Sequence, residues 1–216
     1  MASIAVIGGT GHLGKALARR LVKAGHSVTI GSRTAEKAQA TAAEIGAAGG
    51  DENTAVASGR DIVIVAVPYA SQAETLKQIA PLVGQAVVVD TTVPLVPPKV
   101  MRVQLPAAGS AAAEARVHLG PDVRLVTAFH SVAAHVLDTD ARVECDVLVF
   151  SDDVEARQTI VDLCPGMDLR GLSGGALVNS AAAEALTSIL IYMNKTYKAD
   201  GAGIRFTNLT TAQPLP

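Results

Sequence analysis

Gly9, Gly11 and Gly14 stand at G-x-G-x-x-G spacing within the stretch Gly8-Gly9-Thr10-Gly11-His12-Leu13-Gly14. Such spacing serves a backbone that must turn sharply and come close to a negatively charged group. Gly9 and Gly11 permit the tight turn and the close approach, and Gly14 lets a helix pack against a strand. The run Ser3-Ile4-Ala5-Val6-Ile7 before the glycines reads as a short apolar strand, and an amphipathic run follows them. The free N–H groups and positive end of that helix would then face a pyrophosphate, with Thr10, His12 and Leu13 along the turn. In a dinucleotide site that binds an unphosphorylated ribose, an Asp or Glu follows about 20 residues on, at the end of the next strand. This chain has Gly31-Ser32-Arg33 there, with Lys37 one helical turn beyond. Arg33 offers a planar cationic fork suited to a phosphate, Lys37 falls on the same side, and Thr10 can reach across from the first loop. A carboxylate would repel a 2′-phosphate and this cluster attracts one. The expected nucleotide is NADP.

Reduction of a polar substrate by such a nucleotide usually needs a proton donor beside the hydride acceptor. A Tyr-x-x-x-Lys device is missing, because Tyr192 is followed by Lys195 one place early and by Thr196 at the fourth position. His130, on a loop after a strand, is the acid–base candidate, and a structural histidine satisfied by its neighbours is the alternative. The absence of an obvious proton relay also fits an acceptor that is itself a cofactor. Ring-to-ring transfer needs a dry apolar slot, and Phe129-His130-Ser131-Val132-Ala133-Ala134 is small and apolar enough to line one. His26, His118 and His135 have no partner visible in the sequence. Cys145 and Cys164 lack metal-ligand spacing and read as free buried thiols, with no metal expected.

Alternating strand and helix patterns must position these residues. Strands are expected at 3–7, 27–30, 62–67, 86–89, 123–129 and 147–150, with a weak one near 168–172 and a short extended end at 204–206. Helices are expected at 12–24, from an N-cap at Thr34 to about 45, at 71–83, 110–118, 154–163 and 176–197. The four prolines between Thr91 and Pro106 mark an irregular loop. This pattern specifies an α/β fold with a doubly wound parallel sheet, since parallel strands need crossover connections. The loops Gly8–Gly14, Gly31–Arg33, Pro68–Ser71, Asp90–Pro94 and Phe129–Ala134 should then gather at one edge, where such folds bind ligands. Residues 1–125 are expected to form the nucleotide-binding Rossmann unit, and 126–216 a small C-terminal portion that closes the crevice.

The chain has 216 residues, is 49% hydrophobic and 18% charged, and carries a net charge of −2. That balance, with no basic stripe, argues against nucleic acid as partner. The first residues form a strand rather than a signal peptide. The apolar stretch Ala176 to Met193 includes Asn179, Ser180, Glu184, Thr187 and Ser188, too polar for a bilayer span. Its apolar surface is more than a small monomer should leave wet, so a homodimer burying this helix is expected, in the cytoplasm.

Over nearly its full length the chain resembles the NADP-dependent coenzyme F420 reductases, which join NADP to an 8-hydroxy-5-deazaflavin. The matching stretches are "IAVIGGTGHLGKALA", "VTIGSRTAEKA", "DIVIVAVP", "TAFHSVAA", "SDD", "LVNSAAAEALT" and "GIRF". The resemblance implies hydride transfer between NADPH and F420, with the 2′-phosphate on Thr10, Ser32, Arg33 and Lys37. It further implies nicotinamide against the backbone at Val132 and Ala134, and deazaflavin contacts after Pro68 and at Thr187. Three departures fall on the deazaflavin side. The family's His-Thr-Ile-Pro-Ala is His130-Ser131-Val132-Ala133-Ala134 here, a family serine is Ala185, and a family proline is Ser188. Two other functions remain open at this point. One is an NADPH reductase of a flavin, quinone or small carbonyl compound with His130 as proton donor; the other is a non-catalytic NADP-binding redox sensor.

Overall fold

The structure, a computed structural model, describes residues 1–210. Its elements run β1 (Ser3–Ile7), α1 (His12–Lys23), β2 (Ser27–Ser32), α2 (Ala35–Ile45), β3 (Gly49–Glu52), α3 (Asn53–Val56), β4 (Ile62–Val65), α4 (Tyr69–Ile79) and β5 (Val87–Asp90). They continue with α5 (Ala111–Leu119), β6 (Arg124–Thr127), α6 (Ala134–Leu137), β7 (Asp146–Phe150), α7 (Val154–Leu163), β8 (Arg170–Gly175) and α8 (Ser180–Tyr197). Short 3-10 turns at Cys164–Met167 and Leu177–Asn179 lead into β8 and α8. The end of the C-terminal portion, 211–216, lies outside the described residues.

The strands form one sheet in the order β3-β2-β1-β4-β5-β6-β7-β8. From β3 to β6 every pairing is parallel. β7 returns antiparallel to β6, meeting it at Thr127 and Phe150, and β8 runs parallel to β7. The doubly wound, mainly parallel sheet expected from the sequence is present, with β7 and β8 reversed relative to the other strands. Between β6 and β7 the chain carries only the one-turn α6, with no helix to bring it back across the sheet face, so the next strand folds back.

Several boundaries also differ. The fourth strand stops at Val65, the following helix spans Tyr69–Ile79, and the C-terminal helix starts as the Leu177–Asn179 turn. Residues 204–206 are not a strand, although the Ile204 carbonyl accepts the Asp146 N–H at 2.8 Å. β3, Gly49-Gly50-Asp51-Glu52, has no strand-like alternation in sequence. It exists because α2 can lie on it: a Cβ at Gly50 would strike the Ala38 carbonyl at 2.4 Å.

Period-two alternation divides the core between the two sheet faces. Ile4, Val6, Val28, Ile30, Ile64 and Val89 pack with Leu17 and Leu21 of α1 and with Ile160 of α7. Ala5, Ile7, Val63, Val65 and Val88 pack with Leu76 and Ile79 of α4 and with Ala112 and Ala115 of α5. Each fully buried Val, Leu or Ile contributes roughly 1.5–3 kcal/mol, so the strand ends rest on a rigid platform. Arg20 of α1, 1% exposed, fastens the C-terminal portion to that platform. Its guanidinium donates to the carbonyls of Leu137 (2.9 Å), Thr139 (2.6 Å), Ala141 (2.8 Å) and Met167 (3.2 Å).

Candidate functional site

The parallel strands carry the five expected loops to one sheet edge. In the first of them, three glycines are required by the fold itself. Gly8 sits at φ +72°, where a Cβ would strike the Ala66 carbonyl oxygen at 2.6 Å. A Cβ at Gly9 would meet the Val6 oxygen at 2.8 Å, and one at Gly14 the Gly8 oxygen at 2.5 Å. Gly11 is different, because its Cβ would have only the Gly8 oxygen nearby, at 3.3 Å. The crowding there is milder than at the other three, and a side chain would need the Gly8 carbonyl to give by only a few tenths of an ångström. The turn is pinned by Gly9 N–H to the Gly31 carbonyl (2.8 Å), Gly11 N–H to the Gly8 carbonyl (3.0 Å) and Gly8 N–H to Asn53 Oδ1 (3.1 Å). The N–H groups of Thr10, His12, Leu13 and Gly14 have no acceptor among the described residues. These are the orphan donors of a helix start, carrying its positive partial charge, and they fit a pyrophosphate.

At the end of β2 the Thr10 and Ser32 hydroxyl oxygens lie 3.3 Å apart, with Ser32 buried. Arg33 and Lys37 are exposed and make no ion pair or side-chain hydrogen bond among the described residues. No acid ends β2; Asp51 and Glu52 are the register partners of Gly31 and Ser32 on the neighbouring edge strand. The corner therefore offers two hydroxyls and two uncommitted cations, a donor set that fits a 2′-phosphate.

The third group of residues follows β6. Phe129 is buried in the left-handed region at φ +65°, a costly conformation for a non-glycine residue that bends the chain into His130. His130 is 6% exposed, and burial pushes its pKa down to about 4. Its ring is neutral at pH 7, stands 6.2 Å from the Phe150 ring, and has Nε2 at 3.5 Å from the Ser180 hydroxyl. The N–H groups of Ser131, Val132 and Ala134 have no acceptor among the described residues. Val132 is buried, while Ser131, Ala133 and Ala134 are half-buried. Thr187 of α8 donates its hydroxyl to the His130 carbonyl at 2.8 Å. Pro68, the N-cap of α4, is exposed at the same edge.

Residues that no sequence motif marked lie behind this surface. Asn53 holds the glycine turn, and its Oδ1 would be 2.8 Å from a Cβ at Gly31, which accounts for that glycine. Asp90, 1% exposed, accepts from Thr92 Oγ1 (2.6 Å), the Thr92 N–H (3.2 Å) and Gln72 Nε2. Burial outweighs these bonds and pushes its pKa up to about 6. Glu184, also 1% exposed, accepts from the Ala111 and Ala112 N–H groups and from Ser180, and burial raises its pKa. Glu184 is the one charged residue between Ala176 and Met193, and that isolation was the available sequence signal.

Residues 3–94 match the family model described as NADP oxidoreductase, coenzyme F420-dependent. The chain is 38% identical over 221 residues to the F420-dependent NADP reductase of Methanocaldococcus jannaschii, covering 95% of this chain and 98% of that one. It is 35% identical over 220 residues to the F420-dependent NADP reductase of Methanothermobacter thermautotrophicus, covering 95% of each. A crystal structure from Arthrobacter sp., provisionally described as an F420-dependent NADP reductase, superimposes with a TM-score of 0.82 at 21% identity. It covers 96% of this chain and 100% of that chain, and it speaks to the fold alone. With identity of this order sustained along both chains, the protein belongs to the F420-dependent NADP reductase family.

Proposed function

We propose that the protein moves a hydride reversibly between NADPH and the 8-hydroxy-5-deazaflavin coenzyme F420. The observation that carries this is the match, over almost the whole of both chains, to reductases named for that pair of substrates. The geometry supports it. Gly9, Gly11 and Gly14, with the N–H groups of Thr10, His12 and Leu13, hold the pyrophosphate. Thr10, Ser32, Arg33 and Lys37 hold the 2′-phosphate. The turn Ser131-Val132-Ala133-Ala134 seats the nicotinamide through its uncommitted backbone N–H groups, while the loop after Pro68 and Thr187 border the deazaflavin. Bound together, the two rings supply the hydride chemistry, and the chain supplies alignment and a dry slot. His130, neutral and buried, shapes the turn rather than giving a proton.

Residues 1–125 act in this scheme as the nucleotide-binding unit, and 126–216 close the crevice over it. The working form is a homodimer joined through α8. Free buried Cys145 and Cys164 suit a reducing compartment, and we place the enzyme in the cytoplasm. The test is NADPH oxidation against deazaflavin, FMN, FAD and quinones. Turnover with deazaflavin in both directions is expected; reduction of a flavin or quinone in its place would overturn the assignment.

A further inference from the structure

α8 turns polar side chains into the molecule, where a buried helix face is ordinarily apolar. Ser180, Glu184 and Thr187 follow one another at helical spacing, and Ser180 and Glu184 are 0% and 1% exposed. All three are committed to chain segments at the ligand edge. The Glu184 carboxylate sits at the start of α5, accepting the Ala111 N–H at 2.7 Å and the Ala112 N–H at 3.1 Å. The helix-end donors there are filled from within the protein. Glu184 Oε1 also accepts the Ser180 hydroxyl at 2.9 Å.

That bond fixes what Ser180 can do next. With its proton given to Glu184, its oxygen has only lone pairs left to offer. One receives the Thr127 hydroxyl at 2.8 Å, and the other faces His130 Nε2 at 3.5 Å. The neutral ring then meets Ser180 as a donor, with its proton on Nε2. Two turns along α8 from Ser180, Thr187 holds the His130 carbonyl at 2.8 Å. The residue is thus held at its backbone by a short bond and met at its ring by a long one, immediately before the free N–H groups of Val132 and Ala134.

We infer that Glu184 is a positioning residue of the reaction. It sets the Ser180 hydroxyl, and through it the Nε2–H tautomer and the seat of His130, so that the turn Ser131–Ala134 presents the nicotinamide at transfer distance. The inference rests on the proposed seating of the nicotinamide on that turn.

The test uses the full chain with Glu184→Gln and, as a milder change should that variant fold poorly, Ser180→Ala. Glu184→Gln keeps the shape but replaces one acceptor oxygen with an amide that cannot accept an N–H. Three readouts apply: the His130 tautomer by nitrogen NMR, amide exchange at 129–134, and single-turnover hydride transfer alongside NADPH affinity. Both variants should give a mixed tautomer and faster exchange at 129–134, with α1 unchanged. Hydride transfer should fall roughly ten- to a hundredfold while NADPH affinity stays within about threefold, since the phosphates are held elsewhere. An unchanged tautomer and exchange pattern overturns the inference. So does a lowered melting temperature with the transfer rate intact, which would make Glu184 structural only. If the parent protein does not transfer hydride to deazaflavin, the proposed function fails by itself, and the tautomer and exchange data still decide whether Glu184 sets the turn.

Discussion

Arg33 and Lys37 stand exposed without protein partners among the described residues, beside the Thr10–Ser32 hydroxyl pair, so their charge is available to a 2′-phosphate. A charge-assisted hydrogen bond contributes about 1.5–3 kcal/mol, so Arg33→Ser should weaken NADPH roughly ten- to a hundredfold. NADH lacks that phosphate and should bind the variant as it binds the parent. Arg33→Asp should go further, repelling NADPH and offering the NADH ribose an acceptor. Lys37→Ala should lose less, because a flexible ammonium makes a point contact that solvent screens. Dissociation constants of both nucleotides check this; equal losses for NADH and NADPH in Arg33→Ser would mean that Arg33 supports the loop. Behind the surface, His130 and Asp90 make opposite contributions to stability. The His130 pKa falls from 6.5 to about 4 on folding, so between those pH values the unfolded chain holds a proton the folded one lacks. Its contribution is lost as pH drops through that window. The Asp90 pKa rises from 3.8 to about 6, so the folded chain holds the extra proton and stability is gained as pH drops from about 6. In the parent the two slopes offset. Relative to it, His130→Gln should gain stability as pH falls from 6.5 toward 4, and Asp90→Asn should lose it. Urea unfolding at pH 7 and pH 4.5 reads both, and profiles that merely run parallel to the parent's would contradict them.

Among the elements, α8 has two faces with different tasks. Its inward face holds Ser180, Glu184 and Thr187, while Ile189, Tyr192 and Met193 remain 47%, 52% and 39% exposed. Beside it, an apolar trough of about 920 Å³ runs between α8 and the β7–β8 end of the sheet, lined by Leu148, Phe150, Leu172 and Leu186. Covering this much apolar surface is the physical reason to expect a second copy of the chain. Light scattering at micromolar concentration should give twice the 22.1 kDa chain mass, with α8 protected from hydrogen exchange; a single-chain mass would refute the dimer. The elements also differ in how far the sequence foretold them. β1, its glycine turn and α1 were legible because alternation, glycine spacing and amphipathic period all agree there. The open corner after β2, with an exposed arginine and no acid ending the strand, was legible in the sequence. β3 was not, since Gly49-Gly50-Asp51-Glu52 is held by the fit of α2 rather than by its own pattern. The direction of β7 was not either, because an apolar strand run carries no sign of its orientation. The buried network joins residues far apart in the chain, Ala111 and Glu184 being 73 positions distant, and local spacing cannot show such a contact.

For the molecule as a whole, function follows from the sheet. Parallel strands from β1 to β6 deliver the glycine turn, the arginine corner and the His130 turn to one edge, above a core packed on both faces. Arg20 ties the segments at Leu137–Ala141 and Met167 to α1, and Thr187 ties α8 to the His130 turn. No helix among the described residues is long and apolar enough to cross a membrane. The proposed function requires hydride to pass from ring to ring without a side-chain relay. NADPH stereospecifically deuterated at the nicotinamide C4, used with deazaflavin as acceptor, tests that claim most directly. One epimer should deliver its deuterium wholly to the reduced deazaflavin and the other none, with no label lost to water. Label appearing in solvent, or loss from both epimers alike, would contradict direct transfer across this crevice.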